Sequence, residues 1–398
     1  MMNGLAATAA KPFPFESTWS KRQASTPRRH FTLVDILAKS SCWPRAGRVL
    51  QYCPRQRGAS HEVRMSQSSI VAYKFDNSKE RVMAKAIESI LDKVTGHFGL
   101  GASANGVVDT PHKAVHDGDT FSVRAVGNFG LRFLGIDTPE ISFQLPGKKP
   151  FTSIENADWE RFLSDPFAAE YGAMLLDPAL AAHLAAKVGA GCATNHAKHA
   201  KNAQAFLEQE VTSDIAAQAL ANDSFRLFLR FATDVVDRYG RLLAYVNRDQ
   251  QEAAGRPLTY NERMLQAGMA LPYFIWPNIN PFRQQSSLPD AVLEPGMAAD
   301  VAQHESSLRG VRLSVAQARN DKLGVFAAND GLRLEPFELR YLAQRRRPNR
   351  WVIDLSSTGN LLHHPQRYFD IAKHEDRLYV SDDHVDMFVA AGWVKQGI

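Results

Sequence analysis

The sequence predicts an α+β protein in which short strands alternate with helices. Residues 107–140 and 224–248 alternate polar and apolar side chains around tight turns, which is typical of short strands. Apolar residues recur at helical spacing over residues 197–211 and again over residues 259–270. A chain of 398 residues, 44% of them hydrophobic, has enough apolar material for about two or three domains.

The positive charge is concentrated at the start of the chain. Residues 1–64 hold eleven basic and three acidic residues, a net charge of +8, so the remainder carries −3 of the overall +5. The high isoelectric point therefore gives no indication that the folded body binds nucleic acid through a basic surface.

The basic leader, residues 1–64, is rich in Arg, Ser and Pro and lacks the apolar run of a secretory signal. It fits an organellar transit peptide, a disordered basic arm, or sequence upstream of a native start at Met65, and we favour the last. No span is apolar enough for a membrane, so we slightly favour an intracellular location and leave the compartment open.

We expect four regions along the chain. The leader precedes a helical lead-in and linker over residues 65–106, with helical spacing from Ser78 to Phe98. Residues 107–282 form the main α+β domain, with a helical insertion at about 143–197. Residues 283–398 form a C-terminal α/β domain of unknown role.

Three cysteines, Cys42, Cys53 and Cys192, are too few and too scattered for a disulfide framework or a CxxC metal site. A disulfide between Cys42 and Cys53 requires an oxidising compartment, so we expect free thiols.

Four motifs together carry the elements of metal-assisted phosphodiester hydrolysis: HDGDT from His116, RFLGIDTPE from Arg132, DRYGR from Asp237, and the helix NERMLQAGMA. Each alone is more typical of a turn or a strand end. In combination, Asp119, Asp137 and a neighbouring carbonyl provide hard oxygen ligands suited to Ca²⁺. Glu140, three residues after Asp137, can orient or deprotonate a water, and the guanidinium groups of Arg132 and Arg241 match phosphate oxygens.

These motifs resemble the staphylococcal nuclease (thermonuclease) family, and the resemblance covers about residues 110–282. The family has a DGDT turn, an R…DTPE strand end and a DxYGR turn, and the spacings from Arg132 to Asp137 and Glu140 are kept. The resemblance implies an OB-fold-like five-stranded β-barrel with flanking helices, whose grooves suit oligonucleotides. It also implies Ca²⁺ as the cofactor, DNA and/or RNA as the substrate, and products that end in 3′-phosphates.

The resemblance also implies a role for each matched residue. Asp119 and Asp137 would bind Ca²⁺ by their side chains and Thr138 by its carbonyl, with Asp117 behind them. Glu140 would act as the base or position the water. Arg132 and Arg241 would bind the scissile phosphate.

The chain departs from the family in the long connection after Glu140, about sixty residues where the family is short. This connection fits a lid, a partner surface or a helical subdomain packed on the barrel. The family's base-stacking tyrosine falls near LPYFIWP. The candidates for base stacking are Tyr239, Tyr273, Phe274 and Trp276, although aromatic residues after a helix are more often core.

Outside these motifs, the strongest basic run comprises Arg340, Arg345, Arg346, Arg347 and Arg350. We expect a solvated helix end, with Arg345, Arg346 and Arg347 as candidate phosphate contacts. His196 and His199 are spaced i, i+3, and we expect them to be solvated or to cap a helix.

Two function classes remain. The first is a calcium-dependent nuclease, and the second is a catalytically silent nuclease-like module that binds nucleic acid or protein. The presence of Asp119, Asp137, Glu140, Arg132 and Arg241 favours the enzyme. A further alternative is that the C-terminal region determines the biological role.

Overall fold

The computed structural model describes residues 87–90, 93–96, 98–103, 105–114, 122–125, 127–250, 252 and 254–397. The basic leader lies outside these residues, and so does most of the expected lead-in. The chain forms two compact units. The described residues of the smaller unit lie within Leu100–Val123, and the larger unit includes residues 124–397.

The strands are β1 Ile87–Ile90, β2 Lys93–Gly96, β3 Phe98–Leu100, β4 Val123–Ala125, β5 Leu131–Phe133, β6 Gly135–Asp137, β7 Ser142–Gln144, β8 Phe151–Ser153, β9 Leu227–Val236, β10 Leu242–Arg248, β11 Leu271–Trp276, β12 Arg350–Asp354, β13 Leu361–His363, β14 Arg377–Ser381 and β15 Val394–Lys395. The α-helices are α1 Pro111–Ala114, α2 Ala157–Ser164, α3 Pro178–Ala185, α4 Cys192–Ala217, α5 Tyr260–Gln266, α6 Ala298–His304, α7 Ser306–Asn320, α8 Pro336–Gln344 and α9 Val385–Ala390. Short 3₁₀ turns cover Ala169–Tyr171, Phe282–Gln284, Pro289–Ala291, Gly324–Phe326, Pro365–Asp370, His374–Asp376 and Asp382–His384.

The described residues of the smaller unit include α1 and are joined by backbone hydrogen bonds. Gly101 N–H donates to the Ser122 carbonyl at 2.9 Å, and Asp109 N–H donates to the Gly101 carbonyl at 2.8 Å. An isolated bridge joins Ala102 and Val108.

The described part of the segment expected as a helical lead-in contains strands. Strands β1 and β2 form an antiparallel hairpin between Ile87 and Gly96. Ile87, Ile90 and Val94 suit a strand as well as a helix, because β-branched residues favour extended backbone when a turn lets two segments pair.

The segment from β5 to β6 links two sheets. Strand β5 lies in a three-stranded sheet of order β5-β10-β9, parallel to β10. Strand β6 lies at the edge of a six-stranded sheet, antiparallel to β11. The chain bends between them at Gly135, whose φ of 74° favours glycine. None of the sheets formed by the described strands closes into a barrel, so the structure does not confirm the five-stranded barrel, although α+β architecture holds.

Asn261 on α5 holds this bend. Its Nδ2 donates to the Leu134 carbonyl at 2.8 Å, and its Oδ1 accepts from Val246 N–H on β10 at 2.9 Å. The side chain is 2% exposed. Buried backbone groups need hydrogen-bond partners, and the break between β5 and β6 leaves the Leu134 carbonyl and the Val246 N–H without a strand partner. Asn261 provides that partner for both groups.

The insertion is helical only after an initial hairpin. Strands β7 and β8 pair antiparallel directly after Glu140, and helices α2, α3 and α4 follow. A helix over residues 167–176, which the alanine-rich sequence favours, is replaced by the 3₁₀ turn Ala169–Tyr171.

The C-terminal region shares a sheet with the nuclease-like motifs. The six-stranded sheet has the order β15-β13-β12-β14-β11-β6, and β14 pairs parallel with β11. We expected residues 283–398 to form a separate domain. Their strands β12, β13, β14 and β15 instead belong to the same six-stranded sheet as β6, whose last residue is Asp137. Residue 283 therefore does not separate two folding units.

Helices cover both faces of this sheet. Tyr273 and Tyr379 on one face belong to a buried cluster with residues of α2, α3, α4 and α8. Phe274 and Leu378 on the other face belong to a cluster with residues of α6, α7 and α9. Successive residues of a strand point to opposite faces, so β11 is buried on both sides.

Cys192 is a free, buried thiol, and Cys42 and Cys53 lie outside the described residues. Within the part of the chain that the structure describes, no helix has the length and apolar character needed to span a membrane.

Replacing Asn261 by Ala should destabilise the larger unit by roughly 2–4 kcal/mol, because buried backbone groups of the bend lose their partner. Urea unfolding followed by circular dichroism measures this change. The exposed Asn202 on α4 provides the control, and Asn202→Ala should leave the free energy of unfolding nearly unchanged. Equal stabilities for the two variants would contradict the role of Asn261.

Candidate functional site

The carboxylates of the DTPE motif lie at the end of β6. Asp137 is its last residue and is 3% exposed, whereas the Glu140 side chain is 24% exposed. Arg132 on β5 donates from Nη2 to Asp137 Oδ1 at 3.2 Å. The bend between β5 and β6 thus brings Arg132 back onto the carboxylate that follows it by five residues.

A second arginine bridges both carboxylates. Arg340 on α8 donates from Nη1 to Asp137 Oδ1 at 3.0 Å and to Glu140 Oε1 at 2.7 Å, and from Nη2 to Asp137 Oδ2 at 2.7 Å. Burial acts to lower the pKa of this guanidinium, but the Asp137 and Glu140 carboxylates outweigh burial and raise it. Arg340 is therefore permanently charged, and its single positive charge is shared between the two carboxylates.

His196 on α4 fixes the backbone of Glu140. The Glu140 N–H donates to His196 Nε2 at 2.9 Å, so the ring proton must lie on Nδ1. Complete burial, with smaller contributions from the nearby Arg340 and His199, lowers the pKa of His196 to about 3. Buried His196 and His199 overturn the expectation of solvated or capping histidines.

Arg241 follows the tight turn of the DRYGR motif. Its Nε donates to Asp237 Oδ2 at 2.8 Å, and its side chain is 36% exposed. A Cβ on Gly130, two residues before Arg132, would lie 2.9 Å from Arg241 Cγ. Residues two apart on a strand share a face, so Arg132 and Arg241 lie on the same face of the three-stranded sheet.

Part of the expected metal site lies outside the described residues. Asp117 and Asp119 lie outside the described residues, and Thr138 directly follows β6. Among the described residues, no three Asp, Glu, His or Cys side chains come together as a metal site.

Three of the four candidate stacking residues are core residues. Tyr273, Phe274 and Trp276 are at most 7% exposed, because β11 is an internal strand covered on both faces. Tyr239, at the tip of the turn before Arg241, is 47% exposed. The guanidinium carbons of Arg238 and Arg241 lie 4.8 and 5.3 Å from the centre of its ring.

The basic run after α8 divides between the interior and the surface. Arg345 donates to the backbone carbonyls of Pro166 and Gly172, so it holds the insertion and is not a free phosphate contact. Arg346 and Arg347 are exposed and stay candidate contacts.

The sequence motifs do not mark Arg340 or His196 as site residues. Arg340 lies on the same helical face as Phe337 and Tyr341, at spacings i, i+3 and i+4, and this is the one sequence feature that separates it from a solvated arginine. No local pattern marks His196.

Residues 130–294 match the family model described as staphylococcal nuclease homologue. This match covers less than half of the chain and confirms the resemblance over these residues. No curated protein matches the chain.

The stability contributed by neutral His196 should be lost as the pH falls. Its pKa is about 3 in the folded protein against an ordinary value of 6.5, so the unfolded state takes up the proton first. Between pH 7.5 and 5, wild type should lose about 2 kcal/mol of unfolding free energy relative to His196→Gln, whose amide accepts the same hydrogen bond without titrating.

Urea unfolding at both pH values gives the comparison. His304→Gln, at an exposed histidine, should follow wild type. Parallel pH profiles for wild type and His196→Gln would show that His196 is not held neutral.

Proposed function

We propose that this chain is a phosphodiesterase that hydrolyses DNA and/or RNA by attack of water on phosphorus and leaves 3′-phosphates. The observation that carries the proposal is the convergence of Arg132, Asp137 and Glu140 at one strand end, with Arg241 on the same sheet face as Arg132. The match of this segment to a nuclease family supports the same reaction class.

Arg132 and Arg241 suit the recognition of a phosphodiester. Both side chains are about one-third exposed, so a phosphate can reach them from solvent. The Asp137 and Asp237 carboxylates orient the two guanidinium groups through the contacts at 3.2 and 2.8 Å. Planar donors held in this way stabilise the negative charge that develops on the phosphoryl oxygens during attack.

Glu140 suits the role of the base. Its carboxylate is partly exposed and can contact a water, while its backbone is fixed by His196. A positioned carboxylate takes the proton as the water oxygen bonds to phosphorus, and the 5′-oxygen then leaves. Asp137, almost fully buried, orients arginines rather than moving protons.

Calcium does not fit the carboxylates in this conformation. Ca²⁺ takes about six to eight oxygen ligands, and Asp and Glu carboxylates are prominent among them. Both oxygens of Asp137 accept from guanidinium groups, and Glu140 Oε1 accepts from Arg340. Calcium dependence therefore belongs to a state in which Arg340 has left Asp137.

The same contact favours a second candidate function, a catalytically silent nucleic-acid-binding module. A site whose carboxylates are paired with Arg340 can bind phosphate through Arg132 and Arg241 without cleaving the strand. In both functions the partner is nucleic acid, and only strand cleavage separates them.

The purified chain should degrade plasmid DNA or RNA in the presence of CaCl₂, and Glu140→Gln should reduce the rate roughly a hundredfold or more, because the amide cannot take a proton. Gel electrophoresis with end-group analysis of the products measures the cleavage and identifies 3′-phosphates. A parallel reaction with chelator tests the dependence on calcium.

The exposed Glu208 on α4 provides the control, and Glu208→Gln should retain the wild-type rate. Full activity of Glu140→Gln would remove Glu140 from the mechanism. Absence of cleavage by wild type, with retained binding of oligonucleotides, would establish the silent module.

Tyr239→Ala should raise the Kd for a single-stranded oligonucleotide by roughly fivefold to a hundredfold, since an exposed ring beside two arginines can stack on a base. Fluorescence anisotropy on the Glu140→Gln background measures binding without cleavage. Phe228 is 56% exposed at the opposite end of β9, and Phe228→Ala should bind normally. Equal losses in the two variants would argue against stacking at Tyr239.

A further inference from the structure

Arg340 takes the position of a cation between two carboxylates. It comes from a helix 200 residues beyond Glu140 in sequence, and its three hydrogen bonds reach both oxygens of Asp137 and one oxygen of Glu140. The Arg340 side chain is 17% exposed and that of Asp137 is 3% exposed. A buried carboxylate is stable only when a positive group compensates it, and here the guanidinium does so.

The backbone of Arg340 is firmly held. Helix α8 begins with a capping box in which the Glu335 and Glu338 side chains accept from backbone N–H groups of the first turn. Glu338 also accepts from Lys187 Nζ at 2.7 Å and from the Tyr368 hydroxyl. Release of Asp137 therefore requires rotation of the Arg340 side chain alone, without movement of α8.

Arg132 cannot replace Arg340 in this role. It reaches Asp137 only through Nη2, at 3.2 Å, and it is one-third exposed. Loss of Arg340 would leave Glu140 Oε1 without its guanidinium partner and Asp137 with its weaker one. The vacated position would then be lined by carboxylate oxygens, which are the ligands that hard divalent cations prefer.

We propose that Arg340 and a divalent cation are mutually exclusive occupants of the Asp137 and Glu140 carboxylates. The C-terminal helix α8 thereby gates metal access to the nuclease-like domain. A cation binds only after the Arg340 side chain has rotated away, so its apparent affinity is the intrinsic affinity multiplied by the fraction of molecules in which Arg340 has left the carboxylates. This gate concerns the site of the proposed nuclease, and it rests on that proposed function for the role that the bound cation plays.

Removal of the guanidinium should strengthen calcium binding. Isothermal titration with CaCl₂, in the absence of nucleic acid, should give a Kd for Arg340→Met that is roughly tenfold or more below that of wild type. The melting temperature of the variant should rise with CaCl₂ more than that of wild type. Adding Asp137→Asn to Arg340→Met should abolish both gains.

Arg309→Met, on α7 and exposed, serves as the matched control and should bind calcium as wild type does. Equal calcium affinity for wild type and Arg340→Met would overturn the gate. A gain that persists with Asp137→Asn would also overturn it, because the cation would then bind elsewhere.

Arg340→Lys keeps the test decisive if the methionine variant does not fold without calcium. A lysine retains the positive charge but lacks the planar fork that bridges the two carboxylates, so calcium affinity should lie above that of wild type. Affinity equal to that of wild type would contradict the gate. These readouts are independent of cleavage, so failure of the gate and failure of the nuclease proposal are distinguishable.

Discussion

The buried negative charge of Asp137 is compensated by a guanidinium group from a distant part of the chain, and this contact links the regions of the larger unit. Asp137 ends a strand at the edge of the large sheet, where burial forbids an unpaired charge. The compensating guanidinium comes from Arg340 on α8, and α8 is anchored by Glu338 to Lys187 of the insertion. One electrostatic requirement thus connects the nuclease motifs, the insertion and the C-terminal region.

Local patterns in the sequence predicted local structure. They did not predict contacts between residues that are far apart in the sequence. Strand β10 lies within residues 224–248, where the alternation predicted short strands, because alternation and a tight turn are local signals. His196 and Arg340 were missed because their partner Glu140 lies 56 and 200 residues away. Tyr273 was a candidate for base stacking because nothing within β11 shows that helices distant in sequence will cover this face of the strand.

The insertion and the C-terminal region support the site through buried polar contacts. Glu335 and Arg377 form a buried pair at 3.1 Å beside the Lys187–Glu338 contact. Groups of this kind contribute little net stability, but they tolerate few alternative arrangements, because each unpaired member is costly. They therefore fix the direction in which α8 presents its side chains to the end of β6.

The internal position of β11 has a consequence for how this protein can be divided. The family boundary near residue 294 falls between β11 and the strands that complete its sheet. A fragment ending there would expose a strand edge and two apolar faces, which are the features that promote aggregation. Sequence homology and autonomous folding thus have different limits in this chain, and excision or domain shuffling would have to carry residues through Lys395 along with the nuclease motifs.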